Sequence, residues 1–96
     1  MSKVLEHIEI LGLEVKDKVT GFKGVATSIS FDLYGCIQVV VNPGMDKDGK
    51  LGDQHWFDKN RLVLDGYRIM PVPDYVTGRF AEGDSGPAEK PRMNTN

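Results

Sequence analysis

Val15-Lys-Asp-Lys-Val-Thr-Gly-Phe-Lys-Gly-Val-Ala-Thr-Ser-Ile-Ser-Phe-Asp-Leu-Tyr-Gly-Cys-Ile-Gln-Val-Val-Val41 decides the fold. Apolar residues sit two apart around Asp17, and from Val25 to Phe31 valine, threonine, isoleucine and phenylalanine alternate with alanine and serine. That is the period of half-buried strands. In the third run Ile37, Val39 and Val41 share one face while Cys36, Gln38 and Val40 share the other. A strand covered on most of both faces belongs in the middle of a sheet. The first turn, Thr20 to Gly24, offers two glycines able to take positive φ. The second, Asp32-Leu33-Tyr34-Gly35, has the chemistry of a type I turn, in which the carboxylate accepts from the backbone two residues on. Two successive hairpins make an antiparallel meander.

Outward from this stretch the chain is short. Its 96 residues make at most one domain, with 12 Lys+Arg against 14 Asp+Glu and a formal charge of -2. A folded portion of about sixty residues buries only about 60% of the surface its unfolded chain exposes, so the core is small. The two signs of charge alternate, and no basic stripe suited to phosphates is present, which ranks nucleic acid low as a partner. The single cysteine excludes an intrachain disulfide and fits a reducing compartment. Cys36, inside a strand pattern, reads as a small buried hydrophobe. The N-terminus lacks the layout of a secretion signal and no apolar run approaches about 20 residues, so no membrane partner is expected.

Ser2 to Leu11 places Val4, Leu5, Ile8 and Leu11 on one side of a short amphipathic helix, with Ser2 as cap and Gly12 as stop. An extended run through Ile8 and Ile10 is the rival reading. Asn42-Pro43-Gly44 ends the third strand. Met45 to Gln54 resembles a calcium loop only superficially: Lys50 occupies a ligand position and Phe57 stands where the bidentate glutamate belongs. It reads as a solvated hairpin loop. His55 to Leu64 then reads as a strand, one tight helical turn near Asp58 to Asn60, and a last strand. A meander, a 3₁₀ turn and a fifth strand returning beside the first define a mainly β fold. The expected form is a small five-stranded antiparallel barrel of the Src-homology-3 or Tudor type, closed so that no edge is exposed. Asp65-Gly66 reads as a further turn, with Tyr67 to Pro73 lying along the barrel. The expected organisation is an N-terminal amphipathic segment over 1–12, the barrel over 13–73 and a disordered tail over 74–96, where glycine, proline, serine and charges dominate.

Catalytic and metal readings fail on spacing. Gly83-Asp84-Ser85-Gly86-Pro87 imitates the nucleophile signature of chymotrypsin-like proteases, but it lies in the tail, far in sequence from His7 and His55. Cys36, His7 and His55 are too scattered to form a metal pair, and Gly21-Phe22-Lys23-Gly24 lacks the spacing of a phosphate loop. The chain therefore reads as a non-enzyme with no cofactor and no metal.

The remaining signal is aromatic. Phe22 and Tyr34 stand at the tips of the two turns, where a large ring must lean on the barrel end or meet a partner. Asp32, Asp58 and Arg61 flank them and complete the candidate binding set, although solvated surface charges need no function. Trp56, a lone tryptophan, reads as core.

Val19-Thr-Gly-Phe-Lys-Gly-Val-Ala-Thr, Tyr34-Gly-Cys-Ile-Gln, and Trp56-Phe-Asp with Arg61-Leu together resemble a group of short uncharacterised proteins encoded by tailed bacteriophages and prophages. The shared pattern is a Val-Thr-Gly-Phe-x-Gly turn, a Gly-Cys-x-Gln strand and a Trp-x-Asp segment, and it covers about residues 12 to 64. The resemblance implies a phage or prophage origin and transfers no catalytic residue. The expected function is that of an accessory module binding a host or virion protein, in the bacterial cytoplasm or on the virion. Ranked below it are an oligomer sequestering a nucleotide or signalling molecule, and weak nucleic-acid binding.

Overall fold

A computed structural model describes residues 3–75. Along it lie α1 (Lys3–Ile8), β1 (Leu13–Asp17), β2 (Lys23–Phe31), β3 (Ile37–Asn42), β4 (His55–Asp58), a 3₁₀ turn (Lys59–Arg61) and β5 (Leu62–Arg68). The strands form one antiparallel sheet in the order β4-β3-β2-β1-β5. The meander, the 3₁₀ turn and the return of the fifth strand beside the first match the pattern of the sequence. Closure does not: β4 and β5 are the two edges of an open ladder. β4 bonds only to β3 and β5 only to β1, so the outer sides of the two edge strands do not meet among the described residues.

The core is Val15, Ala26, Val39, Val41 and Phe57, with Ile10, Leu13, Phe22, Ile29 and Leu62 packed around it. β3 is flanked by β2 and β4 and buries Val39, Val40 and Val41 in succession, as a strand covered on both faces must. Val40 pairs with Trp56 across β3 and β4, and Val39 with Phe57. Neighbouring residues of a strand point to opposite faces, so only one ring of the Trp56-Phe57 pair can enter the core. Phe57 does, and Trp56, expected inside, lies 54% exposed over Val40.

The helix is present but short. Past Ile8 the amides of Ile10 and Leu11 donate to His7 and Ile8, the tighter bonds of a helix end. Gly12 then gives its amide to the Ala26 carbonyl at 2.8 Å, pulling the chain into the sheet. Asp65-Gly66 is not a turn. It lies inside β5, where the register with β1 slips between Leu13 and Val15 and leaves Glu14 opposite a bulge. The Tyr67 amide finds the Glu14 carboxylate at 2.8 Å in place of a ladder partner. Tyr67 to Pro73 is accordingly part strand, through Arg68, and part irregular. Tyr75 lines one cleft with Ile8, Leu11 and Ile29. The Ser2 cap, the remainder of the expected tail and the Gly83–Pro87 motif fall outside the described residues.

Of the two glycines in the first turn only Gly21 takes positive φ, at 81°. Gly24 is required by space: a Cβ there would stand 2.2 Å from the Asn42 carbonyl oxygen, whereas nothing lies within 4 Å of one at Gly21. Gly21→Ala should therefore cost about 1 kcal/mol, the strain of a left-handed residue. Gly24→Ala should cost about 3 kcal/mol, because backbone must move. Urea denaturation of the two variants checks the order, and equal losses would contradict the close approach of β2 to Asn42.

Candidate functional site

β1 ends on Asp17, whose side chain is fully buried. The Arg61 guanidinium meets it with two parallel bonds, Nε to Oδ1 at 2.8 Å and Nη2 to Oδ2 at 2.6 Å. Thr20 adds its amide at 3.0 Å and its hydroxyl, and that hydroxyl oxygen in turn accepts from the Phe22 amide at 3.2 Å. The Asp17 amide donates to the Phe22 carbonyl, and the Asp17 carbonyl accepts from Gly21. One carboxylate thus joins the 3₁₀ turn to the first hairpin. Its acidity follows: the Arg61 bonds, helped by those from Thr20, outweigh burial and hold the Asp17 carboxyl far below the usual carboxylate range. The same bonds raise the pKa of Arg61.

Arg61 also lies over the Phe57 ring, 5.4 Å from its centroid, and Phe22 packs 5.3 Å from the rings of both Phe57 and His55. Phe22 is therefore half-buried and packs against the core. Asp58 starts the 3₁₀ turn, its Oδ1 accepting from the Asn60 amide at 3.4 Å. Its charge reaches both Arg61 and Cys36. Of the five candidate residues, Phe22 and Arg61 come together through Phe57, with Asp58 in the same 3₁₀ turn.

Asp32 and Tyr34 form a separate place, the turn between β2 and β3. Asp32 Oδ1 accepts from the amides of Tyr34 at 2.9 Å and Cys36 at 2.8 Å, the turn chemistry expected of this aspartate. The result is a turn tied by two bonds to one carboxylate, with its two central side chains held in water: Leu33 is 90% and Tyr34 85% exposed. Cys36, expected inside a strand, falls just before β3 and is exposed, because the Asp32 carboxylate holds its amide in the turn. The neighbouring Asp32 charge, some burial and the Asp58 charge all push its thiol up, so it stays protonated at neutral pH.

Leu33 joins Tyr34 as an exposed apolar residue of this turn, and its signal in the sequence is an apolar residue at the second position of a turn. The fold also brings His7, Asp32 and Cys36 to the lining of one cleft of about 270 Å³. The His7 ring packs edge-on against Phe31, and its Nδ1 is buried without a hydrogen-bond partner among the described residues. His55 lies elsewhere, against Phe22. Among the described residues no group of three or more histidine, cysteine, aspartate or glutamate side chains is placed to hold a metal ion. No helix among them is long and apolar enough to cross a membrane. Comparison with protein-family models, with curated proteins and with solved structures gave no match.

Because folding depresses the Asp17 pKa, the stability this group contributes is complete above the unfolded value of about 3.9 and is lost as pH falls toward the folded one. The wild-type melting temperature should therefore drop steadily through the acid range below about pH 4. Asp17→Asn should melt lower at pH 7 and show a shallower acid dependence. An equally steep acid profile in the variant would show that Asp17 carries no such linkage.

Proposed function

We propose that this protein is a non-enzymatic phage or prophage accessory module that binds a host or virion protein through the tip of its second hairpin. The proposal extends to the fold: the strand order, the 3₁₀ turn before the last strand and its return beside β1 are the connectivity of Src-homology-3-like barrels, here with the ladder left open. The observation that carries the reading is the pair Leu33 and Tyr34, two large apolar side chains almost wholly in water on a turn tied by Asp32. Water exposure of such residues side by side has a free-energy cost that burial against a partner removes. A preformed tip lowers the ordering cost of binding. In this reading Tyr34 is a contact residue, Asp32 a positioning residue, and Phe22, Arg61 and Asp58 support the fold behind them. The near-neutral charge suits a protein partner better than nucleic acid. The bacterial cytoplasm or the virion is the proposed place of action.

The test is affinity capture with the immobilised chain from infected or prophage-bearing cells. A stoichiometric protein should be retained, and Leu33→Asp/Tyr34→Ala should lose it while keeping the wild-type melting temperature. Capture of no stoichiometric protein, or equal capture by the double variant, would overturn the proposal.

A further inference from the structure

The helix is the least finished part of the fold. None of the residues of α1 is buried, and Leu5 and Ile8, on the apolar side of its pattern, are only half-buried. Two clefts meet at Ile8 and Tyr75. One, of about 390 Å³, lies between the helix and β2 and is lined by Ile8, Leu11, Ile29 and Phe31, with Phe31 still 44% exposed. The other, of about 240 Å³, is lined by Leu5, Ile8, Val72 and Pro73. Tyr75 lines both, and it is the last of the described residues. Residues 76–96 therefore start at the rim of these clefts.

We propose that the occupant of these clefts is the chain's own next segment, 76–81, folded back over α1 with the Phe80 ring in the cleft between the helix and β2. Beyond Tyr75 the large apolar residues are Val76, Phe80 and Met93, and from Ala81 to Arg92 none occurs. The apolar content of the segment is thus concentrated beside the apolar clefts. Five residues of extended chain span at most about 18 Å, and Tyr75 already lines the cleft, so Phe80 can reach Ile29 and Leu11 without displacing the sheet. A tether this short holds the ring at an effective concentration on the order of millimolar, so a modest contact is well populated. Burial of the ring against Ile8, Leu11 and Phe31 favours the docked segment, and the ordering of a few residues opposes it. The reading uses no part of the Leu33–Tyr34 tip, so the two proposals stand or fall independently.

Nuclear Overhauser spectra of the full chain should show the Phe80 ring protons in contact with the methyl groups of Ile8, Leu11 and Ile29. A sample mixing labelled and unlabelled chains should place those contacts within one chain. Phe80→Ser should lower the melting temperature by about 5 °C or more and speed exchange of the Leu11 amide, which donates to the Ile8 carbonyl at 3.0 Å. Met93→Ser should change neither. A folded chain without the Phe80 contacts overturns the proposal, as do contacts found only between chains. So does a Phe80→Ser chain that melts and exchanges like the wild type.

Discussion

A single buried carboxylate holds the two ends of this small sheet in place. Asp17 is fully buried, and its charge is tolerable only because Arg61 and Thr20 supply donors to both oxygens. Buried ion pairs seldom add much net stability over an apolar packing of similar volume, but losing one partner strands the other charge. What the pair contributes here is placement. It fixes the 3₁₀ turn against the end of β1, so that β5 starts beside β1 in one register, with Asp17 opposite Leu62. It also holds Arg61 over Phe57, and Phe57 in turn carries Phe22.

The consequence is an asymmetric molecule. Around Phe57 and Asp17 the core is closed by rings, a guanidinium and a hairpin whose polar groups are satisfied. Along β5 it is not closed, because the strand crosses to the far edge of the sheet and nothing pairs with its outer side among the described residues. The bulge opposite Glu14 bends the strand further, its Tyr67 amide satisfied by a side chain. A small core with one finished side and one open side leaves large apolar side chains in water at the Leu33–Tyr34 tip and along the β5 edge at Leu64.

Much of this was legible in the sequence because it depends on local period and local turn chemistry. The β-prone run from Val25 to Phe31 marks β2, although a register shift between Ala26 and Ser28 breaks its alternation and buries Ala26 while Thr27 and Phe31 stay exposed; the uninterrupted valines mark β3 as central, and Asp32 four residues before Cys36 marks the second turn. What stayed hidden depends on partners distant in the chain. Asp17 and Arg61 are 44 residues apart, so nothing local shows that Arg61 holds the fold together. Trp56 and Phe57 are both plausible core rings, and only the pairing of β4 with β3 decides that Phe57 faces in. Phe22 reads as a loop tip until the hairpin is seen to curl over Phe57. Asp65-Gly66 reads as a turn because its composition is that of one, while the Glu14 carboxylate that stabilises a bulge instead lies on another strand.

Hydrogen exchange in Arg61→Gln tests the role of the pair most directly. The amides of Lys18 and Ile69 donate to Arg61 and Gly12 across the junction of β1 and β5. If the Asp17–Arg61 pair is what seats β5, both should exchange markedly faster in the variant, while amides between β2 and β3 keep their protection. Unchanged protection at Lys18 and Ile69 in a folded Arg61→Gln chain would contradict the account, since β5 would then be seated by packing alone.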